Sequence, residues 1–282
     1  MPAWAILSLM MNGVLFGALL LVWQDRSVGN EPSVLPQASA ANDRDVAETT
    51  VVAAAATVLE PVDSDTPASA PAQRRLTYEE WVALLGQEID TMAAKNPDHL
   101  TILLGDSLSL WFPAELLPGR RVWMNQGISG EKTHTLLSRL HLLDVADVDT
   151  IFLMIGINDL IWGQSDQQVL ANYREIMDHL ALHHPDTQVV VQSILPHGAE
   201  AATWESRHLL LDLPNQRIQS LNQSLQSIAE DYDAYYLELY PIFSNGEGQL
   251  RSDLTTDGLH LNRQGYLVWR AAISLYSQLK LP

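Results

Sequence analysis

At 282 residues, the chain sets 34 acidic side chains against 16 basic ones and carries a formal charge of −18. That balance excludes nucleic acid as a partner, because phosphate contacts need basic patches, and it gives no help on an anionic membrane surface. There is no cysteine, so disulfides, thiolate metal sites and cysteine lipidation are excluded.

Residues 4–23 carry no charge, with Ser8 and Asn12 as polar interruptions. About 20 apolar residues suffice for a helix to cross a bilayer, so residues 1–23 read as an N-terminal transmembrane anchor. A cleaved signal is the alternative, although the A-x-A pattern Ala38-Ser39-Ala40 lies far downstream. Residues 24–75 are rich in Ala, Pro, Ser and Thr and have no sustained periodicity, which reads as a flexible linker. Residues 76–282 gather most of the aromatic side chains and suffice for one domain with a substantial core. An anchor followed by such a spacer places that domain on the extracytoplasmic side of a plasma membrane, or in the medium if the segment is cleaved.

Within 76–282, Trp81, Leu84, Leu85, Ile89 and Met92 recur at helical spacing, and Thr77 with Glu80 forms a capping box. A strand follows, ending at Gly105. "RVWMNQG" is a second strand, and "KTHTLLSRLHLL" a helix. "TIFLMIGIND" begins as a third strand, apolar on both faces as a central parallel strand should be. A helix from Ser165 to His184, a strand at "TQVVVQSILP", a helix at "NQRIQSLNQSLQSIAEDY", a short strand at "AYYLEL" and a final helix from Asn262 complete the order. Strands alternating with helices predict a parallel sheet covered on both faces, with ligands outside the carboxyl ends of the strands.

Three segments fall at those ends: Gly105-Asp106-Ser107, Asn125-Gln126-Gly127 and Gly156-Ile157-Asn158-Asp159. A serine hydroxyl becomes a nucleophile only with a base and with donors for the oxyanion it creates. Just before the last helix, "TTDGLHLN" supplies His260 as a base and Asp257 to orient it. The oxyanion donors would be the backbone N–H groups of Ser107 and Gly127 and the side-chain amide of Asn158. Asp106 and Asp159 read as supporting residues that brace the loops.

Together, Gly105-Asp106-Ser107-Leu108-Ser109, Gly127, Gly156-x-Asn158-Asp159 and Asp257-x-x-His260 resemble the four blocks of the SGNH (GDSL) hydrolase superfamily. "NQGISGEKT" and "DGLHLNRQGY" are similar to its bacterial branch of lysophospholipase/thioesterases and platelet-activating-factor acetylhydrolase subunits. The resemblance implies a flavodoxin-like three-layer α/β/α sandwich with a five-stranded parallel sheet. It also implies a serine esterase without metal or cofactor. Ser107 would be the nucleophile, His260 the base and Asp257 its partner, acting on a small-molecule, lipid or glycan ester. The same residues would serve an O-acetyltransferase with a glycan acceptor. A non-catalytic binding module that keeps the fold is the third reading.

Other features have plainer expectations. Trp111 and Phe112 either line an acyl pocket or pack in the core. The connection from His197 to Pro214 is long, and its Trp204 either meets substrate or packs inward. His183 and His184 are adjacent, so on a helix they point about 100° apart and chelate poorly. They are expected to be a solvated helix end.

Overall fold

Aliphatic runs with no polar face must be covered on both sides. Residues 100–105 (β1), 122–127 (β2), 150–154 (β3), 188–192 (β4) and 235–237 (β5) form one sheet in the order β2-β1-β3-β4-β5, with every pairing parallel. The computed structural model describes residues 76–119 and 121–281. The expected anchor (1–23) and linker (24–75) lie outside the described residues. Among the described helices, none is long and apolar enough to cross a membrane.

Successive side chains of a strand face opposite ways, and here both faces are apolar. Ile102, Leu104, Ile151, Leu153, Val189 and Val191 join one core with Ile89, Leu136, Tyr173 and Leu225. These partners come from α1 (Tyr78–Lys95), α3 (Thr133–Arg139), α5 (Asp166–His183) and α7 (Asn215–Asp231). Leu103, Phe152 and Val190 join a second core with Trp269, Ile273 and Tyr276 of α9 (Arg263–Lys280). The sandwich is therefore three-layered, as expected.

The chain ends of the helices follow the sequence signals. At α1, Thr77 accepts the Glu80 N–H and Glu80 accepts the Thr77 N–H, the reciprocal capping box. The expected helix at residues 132–143 departs from the reading. It is α-helical only to Arg139 and continues as a tighter 3₁₀ helix, Leu140–Val145.

From β1 the chain steps to β2 on one side and, two strands later, to β3 on the other. The order reverses between β1 and β3, and the crevice at their carboxyl ends is where such sheets bind ligands. The short helices α2 (Ser107–Leu110) and α4 (Ile157–Ile161) start there.

Candidate active site

Strand β1 stops because Asp106 caps α2. Its carboxylate accepts the Leu108 N–H at 3.0 Å. Ser107 is the first residue of the helix, and its N–H meets no acceptor among the described residues. Two side chains fix this helix from outside. The Tyr266 hydroxyl of α9 donates to the Leu108 carbonyl at 3.0 Å, and the Asn125 amide donates to the Ser109 carbonyl at 2.6 Å. Helix α2 lies directly on the end of β2, where a Cβ at Gly127 would sit 2.4 Å from the Leu110 nitrogen. Close backbone packing therefore demands glycine at 127, whatever a ligand needs there. The Gly127 N–H donates to the Asn125 side-chain oxygen Oδ1 at 3.0 Å.

The final loop brings the other two groups over Ser107. His260 Nε2 lies 3.2 Å from Ser107 Oγ, and His260 Nδ1 lies 2.7 Å from Asp257 Oδ2. Asp257 Oδ1 accepts the N–H groups of Leu259 and His260, at 2.9 and 2.8 Å. Burial pushes the Asp257 carboxyl up, but the His260 ring and these backbone donors outweigh it and hold the group below the usual carboxylate range. Gly258 makes the turn possible. Its φ is +87°, and a Cβ would lie 2.6 Å from Ala202.

That contact reveals what the long connection does. The N–H groups of Thr203 and Trp204 both donate to the Asp257 carbonyl, at 2.8 and 2.9 Å, and the Gly198 N–H donates to the Gly258 carbonyl at 2.7 Å. The connection grips the loop carrying Asp257 and His260 by its backbone. The Trp204 side chain packs against the first core. At its base, buried His197 is held neutral: desolvation lowers its pKa, its Nε2 faces the Leu213 carbonyl at 2.7 Å, and Nδ1 accepts the Ala199 N–H.

Asn158 sits in the first turn of α4, with one amide hydrogen donated to the Glu131 carbonyl at 3.0 Å. Next to it, Asp159 accepts both the N–H and the hydroxyl of Thr133, at 2.9 and 2.6 Å, so it braces the neighbouring loop. Glu131 itself was not singled out by the sequence. Its carboxylate makes a two-pronged ion pair with Arg139, both contacts 2.6 Å, and accepts the Tyr78 hydroxyl; both ionic side chains are buried. Breaking such a pair from one side costs about 3–5 kcal/mol. Glu131 and Arg139 stand eight residues apart, a spacing with no helical or strand logic, and nothing local signals the pair.

Burial raises the pKa of Asp106, Asp159 and Glu131 alike. Asp106 is pushed up to about 7 by desolvation, with Glu131 and Asp159 adding to it against the Leu108 hydrogen bond. Its Oδ2 has no hydrogen-bond partner among the described residues.

Two indoles flank these groups. Trp111 follows Ser107 by one turn, is 44% exposed, and lies with its ring centroid 4.3 Å from that of His260. Trp162 follows Asn158 by one turn, is 56% exposed, and has the Lys132 ammonium over its ring. Phe112, by contrast, is core, edge-on to Tyr266 and Trp269. The i,i+4 spacing from Asn158 was the available signal for Trp162.

A serine, an imidazole and a carboxylate in this relay can carry a proton from the hydroxyl and return it to a leaving group. The GDSL-like Lipase/Acylhydrolase family matches this chain over residues 104–268. A solved structure from Streptococcus pneumonia, whose description names a platelet activating factor, is 28% identical with a TM-score of 0.60, covering 70% of this chain and 95% of that one. A GDSL-like lipase from Bacteroides thetaiotaomicron shares the fold at 21% identity and TM-score 0.57, over 69% of this chain and 96% of that one. Among curated proteins, an N-acylneuraminate cytidylyltransferase of Streptococcus agalactiae is 26% identical over 169 residues, 60% of this chain. The chain spans 36% of that relative's length.

Proposed function

The chain belongs to the GDSL-like lipase/acylhydrolase family, and from that membership we propose that it is a serine esterase for short acyl esters on glycans or lysophospholipids. The observation that carries the reading is the continuous relay from Ser107 Oγ through His260 to Asp257, at 3.2 and 2.7 Å. Ser107 Oγ attacks the ester carbonyl while His260 Nε2 takes its proton. The oxyanion that forms is met by the Ser107 and Gly127 N–H groups and by the second amide hydrogen of Asn158. For Gly127 this means sharing or leaving the Asn125 oxygen. Collapse of the intermediate expels the alcohol, which takes the proton back from His260. Water then repeats the cycle on the acyl-enzyme, and Asp257 keeps the imidazole in the required tautomer throughout.

Exposed Trp111 and Trp162 support a glycan-bearing ester, since each offers an apolar ring face beside the crevice. An O-acetyltransferase would use the same acyl-enzyme with a sugar hydroxyl in place of water. The test is a p-nitrophenyl ester series of increasing chain length, with Ser107→Ala as control. Turnover falling with chain length, independent of added glycan and absent in Ser107→Ala, is the expected result. Full activity in Ser107→Ala would refute the mechanism, and dependence on an acceptor would replace hydrolysis by transfer.

A further inference from the structure

Helix α5 leaves the carboxyl edge after β3 and returns to the amino edge before β4, so its last turn lies at the opposite edge of the sheet from Ser107. The 3₁₀ helix Leu140–Val145 also lies at that edge, just before β3. There Asp144 is faced by three imidazoles. Its Oδ1 is 2.8 Å from His179 Nε2 and 3.4 Å from His184 Nε2, and its Oδ2 is 3.4 Å from His183 Nδ1. Ligand atoms of Asp144, His179 and His183 all lie within 4.8 Å of one another. The His179 and His183 rings, one helical turn apart, stack at 4.3 Å.

The expectation of a solvated histidine pair holds for exposed His183 and is corrected for His184. His184 is not helical: φ is −131° and ψ is 54°, and Pro185 follows it, which disfavours the α conformation at the residue before it. The ring therefore turns inward. Its side chain is 3% exposed, and its Nε2 is buried with no hydrogen-bond partner among the described residues. A nitrogen in that position is costly unless something meets it.

We propose that Asp144, His179 and His183 hold a zinc ion that clamps the end of α5 to the 3₁₀ helix, with water as the fourth ligand and the buried His184 ring packed beside Asp144. Two imidazoles and a carboxylate are a donor set suited to this ion, and with one water they complete four-coordination. Neither the catalytic groups nor their edge of the sheet is involved, so the clamp is structural.

The test uses the purified full chain without a histidine tag, stripped with a chelator. Titration with zinc chloride is followed by calorimetry, and titration with cobalt chloride by visible absorption. One equivalent of zinc, the intense d–d bands of four-coordinate cobalt and a thermal midpoint raised by zinc are expected. His183→Ala and Asp144→Asn, both at partly exposed positions, should stay folded and bind at least about tenfold more weakly. Ser107→Ala should take up metal like the unmodified chain, which separates this outcome from the fate of the esterase reading. Uptake by the unmodified chain no greater than by a folded His179→Ala/His183→Ala variant, or cobalt bands of six-coordinate type, would overturn the proposal.

Discussion

Each edge of the sheet sets an imidazole against an aspartate at nearly the same distance, 2.7 Å for His260–Asp257 and 2.8 Å for His179–Asp144. The surroundings give the two pairs different chemistry. Asp257 serves a single ring, and its other oxygen is filled by two backbone N–H groups. The ring's remaining nitrogen is free to meet the Ser107 hydroxyl. Asp144 receives no backbone N–H among the described residues and turns both oxygens to three rings. The first arrangement is laid out along a line, as a proton relay would need; the second converges on a point. An Asp–His contact alone identifies neither.

The largest effect that sharpens this contrast is at the base. His260→Ala should lower kcat on a short p-nitrophenyl ester by at least about 10⁴-fold. His141→Ala, at an exposed histidine of the amino-edge 3₁₀ helix, should leave kcat intact. Equal losses would erase the distinction between the edges. Asn158→Ala comes next. It removes one of the proposed oxyanion donors and should cost about 10²–10³ in kcat with a smaller change in KM. A purely higher KM would reduce Asn158 to binding the ground state.

The smallest effect concerns Asp106 and is read in stability. Its carboxyl is raised to about 7 in the folded chain, so the unfolded chain ionises first. The stability it contributes is complete below about pH 4 and is lost as pH rises through about 7. Asp106→Asn keeps an oxygen for the Leu108 N–H and has no charge to bury. Its urea midpoint should match the parent at pH 4 and exceed it at pH 8, by on the order of 4 kcal/mol in free energy. Parallel pH curves for the two chains would show that Asp106 does not ionise in this range.

The sequence was legible wherever the physics is local. Aliphatic runs gave the strands, Thr77 and Glu80 the start of α1, and glycine-bearing strand ends the carboxyl-edge loops. The Asp257/His260 pair was also readable, because three residues and a glycine confine both side chains to one turn. What escaped was set by tertiary packing. Glu131, Arg139 and Tyr78 meet only after α1 and α3 have docked, and Gly127 owes its identity to a helix that lands on it. His184 escaped for another reason. Pro185 removes it from the helix, so the helical angle between neighbouring residues does not hold there.

The backbone grip of Thr203 and Trp204 on the Asp257 carbonyl bears on how such a scaffold can be altered. Surface connections are often treated as interchangeable parts, to be swapped for new specificity. Here that freedom is limited, because the 197–214 segment is part of the mounting of the loop that carries Asp257 and His260. A transplanted segment must reproduce the two N–H groups and the small residue at 202 that fits against Gly258. New substrate preference is more readily sought at Trp111 and Trp162, whose side chains project from helices anchored elsewhere.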